Sequence, residues 1–172
     1  MELQPWPEAH DCAACVSLQF GSLSMRLPSA LIGQVFVSAT AIAQLHIIPA
    51  GADIKTSLFF HVLPSAQITE KYQSLVRLPL DPQLFFDRLG APALNPDPWS
   101  KIRTVEQLDT ALRYTKTSKG PLHVYWIRGR QTNSHYLYFV IDGSPLVYAA
   151  FGELTPEFFN AILAHLVITP EP

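Results

Sequence analysis

PLHVYWIRGRQTNSHYLYFVIDGSPLVYAAFGELTPEFFNAILAHL, residues 121–166, holds three short runs rich in β-branched and aromatic residues, separated by turn formers. Runs of this kind read as a meander of antiparallel strands. In the first, Leu122, Val124 and Trp126 face one way, and His123, Tyr125 and Ile127 the other. Asp142-Gly143-Ser144-Pro145 forms the second turn. Thr155 then caps a closing helix with Pro156 at its first position, and Leu154 and Phe159 make a hydrophobic staple. A helix that follows a meander covers one of its faces. The expected fold class is α+β.

Upstream of the meander the pattern is helical. Ser65 is placed to cap a helix carrying Ile68, Tyr72, Leu75 and Val76 on one face. Asp81-Pro82 opens a second helix, stapled by Leu80 and Phe85 and closed at Gly90. Pro92, Pro96 and Pro98 make residues 91–99 a loop. Thr104 and Gln107 fit a capping box for a third helix, with Val105, Leu108, Ala111 and Leu112 on its buried side.

The first third is strand-rich. Leu23, Met25 and Leu27 alternate with Ser22, Ser24 and Arg26, the period of a half-buried strand, and residues 16–20 precede it across Gly21. Residues 44–48 and 57–63 read as strands joined across a turn. Residues 31–43 fit a buried helix or a strand pair, because an apolar run without alternation does not discriminate. Together these elements predict one α+β domain over residues 16–172, with a largely antiparallel sheet of about six or seven strands and helices packed on it, behind an N-terminal arm over residues 1–15. The order of elements is similar to that of the PsbP-like sandwich proteins; the likeness is one of order alone and brings no residue roles.

Charged residues make up 15% of the 172, against about 25% in an average soluble protein, while apolar residues reach 48%. That balance fits burial of some surface against a partner, or a large core under an uncharged surface. The net charge of −2 supplies no global attraction for nucleic acid or anionic membrane. Residues 27–52 are uncharged, long enough for a membrane span. Gln34, Ser38, Thr40, Gln44 and His46 interrupt them and Pro28 and Pro49 bracket them, so buried strand is the reading. Residues 1–10 lack the basic start and apolar core of a secretory signal, and a cytoplasmic location is expected.

No nucleophile elbow, SxxK pair or phosphate-binding glycine loop occurs, and the carboxylate pair Glu106/Asp109 belongs to a solvated helix face. No catalytic residue, cofactor or metal is assigned. Cys12 and Cys15, with His10 nearby, make the one CxxC; they read either as a metal or redox pair or as two small semi-buried residues. His46, His61, His123 and His135 sit in or beside strands without metal-forcing spacing.

The local exception to neutrality is basic. Arg113, Lys116, Lys119, Arg128 and Arg130 fall between Thr110 and Ile141 with no acid among them. The first three are expected at a helix end and its following loop, the last two at a hairpin tip. With Tyr125, Tyr136 and Tyr138 they form the candidate partner-binding set, suited to an acidic protein segment; Trp126 lies in the same strands. The expected function is a non-enzymatic protein-interaction module of adaptor, chaperone or inhibitor type, working through an aromatic or apolar sheet surface as a homodimer. The alternative is a small-molecule-binding protein or enzyme whose pocket is lined by Tyr125, His123, His135 and Tyr138.

Overall fold

The computed structural model describes residues 1–39, 42–76, 81–92, 97–130 and 135–169. Its strands are β1 (Glu2–Leu3), β2 (Cys15–Phe20), β3 (Leu23–Pro28), β4 (Ile32–Ala39), β5 (Ala43–Pro49), β6 (Leu58–Pro64), β7 (Arg113–Lys119), β8 (Leu122–Arg128), β9 (His135–Ile141), β10 (Leu146–Gly152) and β11 (Val167–Ile168). Its α-helices are α1 (Ser65–Thr69), α2 (Pro82–Gly90), α3 (Pro98–Val105) and α4 (Pro156–Ala164). The fold class is α+β, with more strands than the sequence suggested. Eight form one sheet in the order β1-β7-β8-β9-β10-β6-β5-β4, and three form a second, β11-β3-β2. All pairings are antiparallel except β1 with β7.

Both faces of the large sheet are covered over part of their area. On one side β3 and α4 pack against it: Leu23, Met25 and Leu27 join Val124, Trp126, Phe139, Phe159 and Ile162 in the main core. On the other, Tyr72, Phe85, Phe86 and Ile102 from the helical middle cover Tyr125, Ile127, Val140 and Val147. This explains why β8 is buried along its first six positions and alternates in the character of its two faces rather than between polar and apolar. The closing helix forms as its sequence dictates, with the Thr155 side chain accepting from the Phe158 amide at 3.1 Å. Asp81 likewise caps α2 through the Leu84 amide at 3.0 Å.

Four local expectations need correction. Ser65 is the first residue of a five-residue helix and makes no cap bond with its side chain. Gly90 ends α2 without entering the left-handed region, and Ala91 follows in extended conformation. Thr104 and Gln107 are no capping box: α3 starts at Pro98 under an Asp97 cap and ends at Val105, and Gln107 two residues on is left-handed with a φ of 57°. Arg113–Lys119 is a strand, because Thr115 and Thr117 point into the core on alternate positions. The ambiguous residues 31–43 resolve mainly into strand β4 and the start of β5. Residues 2–3, expected in an arm, pair with β7. The Leu80 half of its staple and residues 93–96 of the proline-rich loop lie outside the described residues.

Candidate functional site

β4, β5, β6, β10 and β9, neighbours in that order, carry one aromatic ring each along a single register row. Phe36 of β4 faces His46 of β5, His46 faces Phe59 of β6, Phe59 faces Phe151 of β10, and Phe151 faces Tyr136 of β9. The rings touch in turn: Phe36 and His46 stack with centroids 4.5 Å apart, His46 and Phe59 at 5.6 Å, and Phe151 and Tyr136 at 6.2 Å. Strand pleating dictates this row, since directly paired residues project to the same face. At its Tyr136 end the row reaches Ile127, under the helices; toward β4 no helix contributes to the described packing. There the rings line a groove of about 560 Å³, with Ser38, Lys55 and Gly152 beside them. Burial lowers the His46 pKa, and the ring accepts or donates to Ser38 Oγ at 3.0 Å, so it behaves as an aromatic plate. His61, next on the same face of β6, packs on Phe151 and is likewise lowered by burial.

The row ends at β4, an edge of the sheet. β4 is eight residues long, reads IGQVFVSA, and has no charge and no proline. Val37 is 64% exposed on it. Natural edges are blunted by short strands, lysines or bulges. The opposite edge obeys that rule: β1 is two residues long and lies on the charged β7. β4 has one irregularity, between Ile32 and Gln34, and among the described residues no strand pairs with its outer side.

A second concave region lies at the other end of the row. Glu106, Gln107 and Val105 from the end of α3, with Ile127, Arg130, Tyr136 and Tyr138 from β8–β9, enclose a cavity of about 360 Å³. Glu106 accepts from Lys71 Nζ at 2.5 Å and from the Tyr72 hydroxyl. Burial, reinforced by Glu106, raises the pKa of both Tyr72 and Tyr138, which keeps them as phenols. Gln107 is the sole non-glycine with positive φ among the described residues, and such backbone conformations gather at functional positions.

The candidate set chosen from sequence is dispersed by the fold. By register, Arg113, Lys119 and Arg128 rise from the α4 face of the sheet and Lys116 from the α2 face. Arg113 binds Glu2 at 2.7 Å, and Lys116 is held by both oxygens of Asp87 at 2.7 and 2.8 Å. Lys119 lies over the Trp6 ring and Arg128 over the Trp126 ring. Arg130, Tyr136 and Tyr138 meet at the cavity, while Tyr125 is fully buried under α2 and donates to Asp87 at 2.9 Å. The five cations therefore do not make one patch, because a strand sends neighbouring residues to opposite faces.

The histidines do not converge either. His123 is bonded to Ser118 at 2.8 Å and Asp142 at 3.0 Å at the far end of β8. His135 lies on the α4 face against Trp126, its pKa lowered by burial and then by Arg128. Cys12 and Cys15 are joined in a disulfide. Among the described residues no three of His, Cys, Asp or Glu gather into a possible metal site, and no helix is long and apolar enough to cross a membrane.

No protein-family model matches this chain, and no curated protein matches it significantly.

Of the row, Tyr136 belonged to the sequence-selected set and His46 was noted as a strand histidine, whereas Phe36, Phe59 and Phe151 were not singled out. Their signal was present as aromatics alternating with core residues, such as Phe59 beside Phe60. Which face stayed open depended on strand order, which no local pattern carries.

Proposed function

We propose that this protein is a non-enzymatic interaction module of adaptor or chaperone type, that it acts through the open aromatic row and the β4 edge, and that a second copy of the chain pairs along β4. The carrying observation is an uncharged eight-residue edge strand ending a half-buried row of rings. Strand addition is a common mode of protein recognition, in which backbone bonds give affinity and side-chain pockets give specificity. A second copy suits this edge because two neutral strands meet without charge repulsion, and antiparallel pairing about a two-fold joins the two rows at Phe36.

Sedimentation velocity tests it. The wild type is expected to sediment as a dimer at micromolar concentration. Val37→Lys places two ammonium groups at the joint and is expected to weaken dimerisation by at least about tenfold. Ser17→Lys, on another uncharged edge strand, β2, is expected to leave the dimer intact. A monomeric wild type, or a dimer broken by Ser17→Lys and not by Val37→Lys, overturns the reading.

The cavity at Glu106, Arg130 and Tyr138 favours a second reading, a small-molecule-binding protein, since its size falls within the range of about 300–1,000 Å³ usual for such sites. Its guanidinium, phenols and apolar floor suit a small aromatic carboxylic acid. Titration with 4-hydroxybenzoate by isothermal calorimetry is expected to saturate, with Arg130→Gln weakening it about tenfold. Absence of saturable heat, or identical binding by Arg130→Gln, removes this reading and leaves the dimer untouched.

A further inference from the structure

The CxxC pair sits where chemistry can reach it. Cys12 and Cys15 close a disulfide three positions apart in sequence. Cys15 is fixed as the first residue of β2, opposite Pro28, and the Ser29 amide donates to Ala14 beside it at 2.8 Å. Cys12 lies outside the strand and lines a cavity of about 320 Å³ between the chain before β2 and the last turns of α4. His10 and His165 line the same cavity from its two sides. Neither cysteine is buried, and a four-residue disulfide loop contributes little to holding this fold, whose cores are elsewhere. A bond that short in span, half-exposed and beside imidazoles, has the features of an exchangeable disulfide rather than a staple.

We propose that Cys12–Cys15 is a thiol–disulfide exchange site whose co-reactant is a dithiol or disulfide of another protein, admitted through the cavity beside α4. The incoming thiol gives its proton to an imidazole lining the cavity. The thiolate attacks Sγ of Cys12, the cysteine that lines the cavity. A new bond forms between the two, the Cys12–Cys15 bond breaks, and its electron pair leaves on Cys15, which takes up a proton. The co-reactant's second thiolate then attacks its own sulfur in the mixed disulfide, forming its disulfide and releasing Cys12 as thiol. The co-reactant loses two electrons and the CxxC pair gains them; the reverse sequence reoxidises the pair. The site is independent of the β4 edge and of the cavity at Glu106.

The test uses the full chain, with glutathione and insulin as probes. Dithiothreitol at about 1 mM is expected to reduce the pair, seen as two maleimide additions by mass, with an unchanged circular dichroism spectrum. The protein is expected to accelerate dithiothreitol-driven reduction of insulin, and Cys12→Ser to abolish that acceleration. With one thiol left, Cys15→Ser is expected to form its mixed disulfide with oxidised glutathione, releasing reduced glutathione, at least about tenfold faster than Cys12→Ser, because Cys12 is the cysteine that lines the cavity. The double variant His10→Gln/His165→Gln is expected to slow the exchange several-fold at neutral pH while keeping the fold. A pair that is reduced only when the protein unfolds, no acceleration of insulin reduction, or equal rates for the two single-cysteine variants overturns the proposal.

Discussion

Gly152→Ala is expected to lower stability by about 4 kcal/mol, a fall in Tm of roughly 8–16 °C for a chain of this size. Two costs add. Gly152 has φ at 136°, a region that residues with a side chain enter only under strain of about 1–3 kcal/mol. A Cβ there would also overlap the carbonyl oxygen of Ser57 and crowd Leu58. Ser57 cannot retreat, because Leu58 and Phe59 immediately after it are paired in β6 between β10 and β5. Gly51→Ala is the control that separates the costs. Gly51 has φ at 75° with nothing within 4 Å of the position its Cβ would take, so strain alone applies, about 1 kcal/mol. Differential scanning calorimetry of the two variants distinguishes them. Equal losses would mean that the contact with Ser57 carries no weight and that β6 and β10 can part there.

Much of this fold is legible in local pattern, and the reasons differ by element. β3 declares itself because Leu23, Met25 and Leu27 fill the main core while the residues between them do not. The closing helix is legible because Thr155, Pro156 and the Leu154–Phe159 staple agree with one another. β7 is misread because its buried side chains are threonines, and Lys116 between them and Lys119 beyond them resemble a loop. The same alternation of Thr115 and Thr117 with charged or small residues was a strand signal outweighed by charge. The start of α3 hides behind Pro92, Pro96 and Pro98, where a proline at the first helical turn and a proline in a loop look alike.

The site is less legible than the fold for a topological reason. β10 pairs with β6, joining the closing meander to the N-terminal hairpin across more than eighty residues of chain. That one pairing aligns Phe151 with Phe59 and so makes a continuous row from Tyr136 to Phe36. It also decides that β4 is an edge. Sequence shows that residues 27–52 lack charge; only strand order shows that part of them faces open pairing positions.

Asp87→Leu is expected to cost about 3 kcal/mol, more than Lys116→Met, although both break the same ion pair. Lys116 was selected from sequence as a partner-binding cation, yet its side chain is only 11% exposed and both Asp87 oxygens hold it. Removing the carboxylate leaves an ammonium group with no counter-charge under α2, and it takes away the closer acceptor of the buried Tyr125 hydroxyl, which keeps Gln83 O at 3.3 Å. Removing the ammonium is milder. Asp87 retains the Tyr125 hydroxyl, and its side chain is 32% exposed, so water reaches it; a cost of about 1–2 kcal/mol is expected. The partial exposure of Asp87 also sets its own loss at the lower end of the roughly 3–5 kcal/mol typical of a broken buried pair. The double variant Asp87→Leu/Lys116→Met removes both charges at once and is expected to lie within about 1 kcal/mol of the wild type, because an apolar pair of similar volume replaces an ion pair that was expensive to desolvate. Urea unfolding midpoints, compared at unchanged slope, measure all three. A double variant whose loss equals the sum of the two single losses would show that Lys116 and Asp87 act independently, and would remove the ion pair as the reason Lys116 is held under α2.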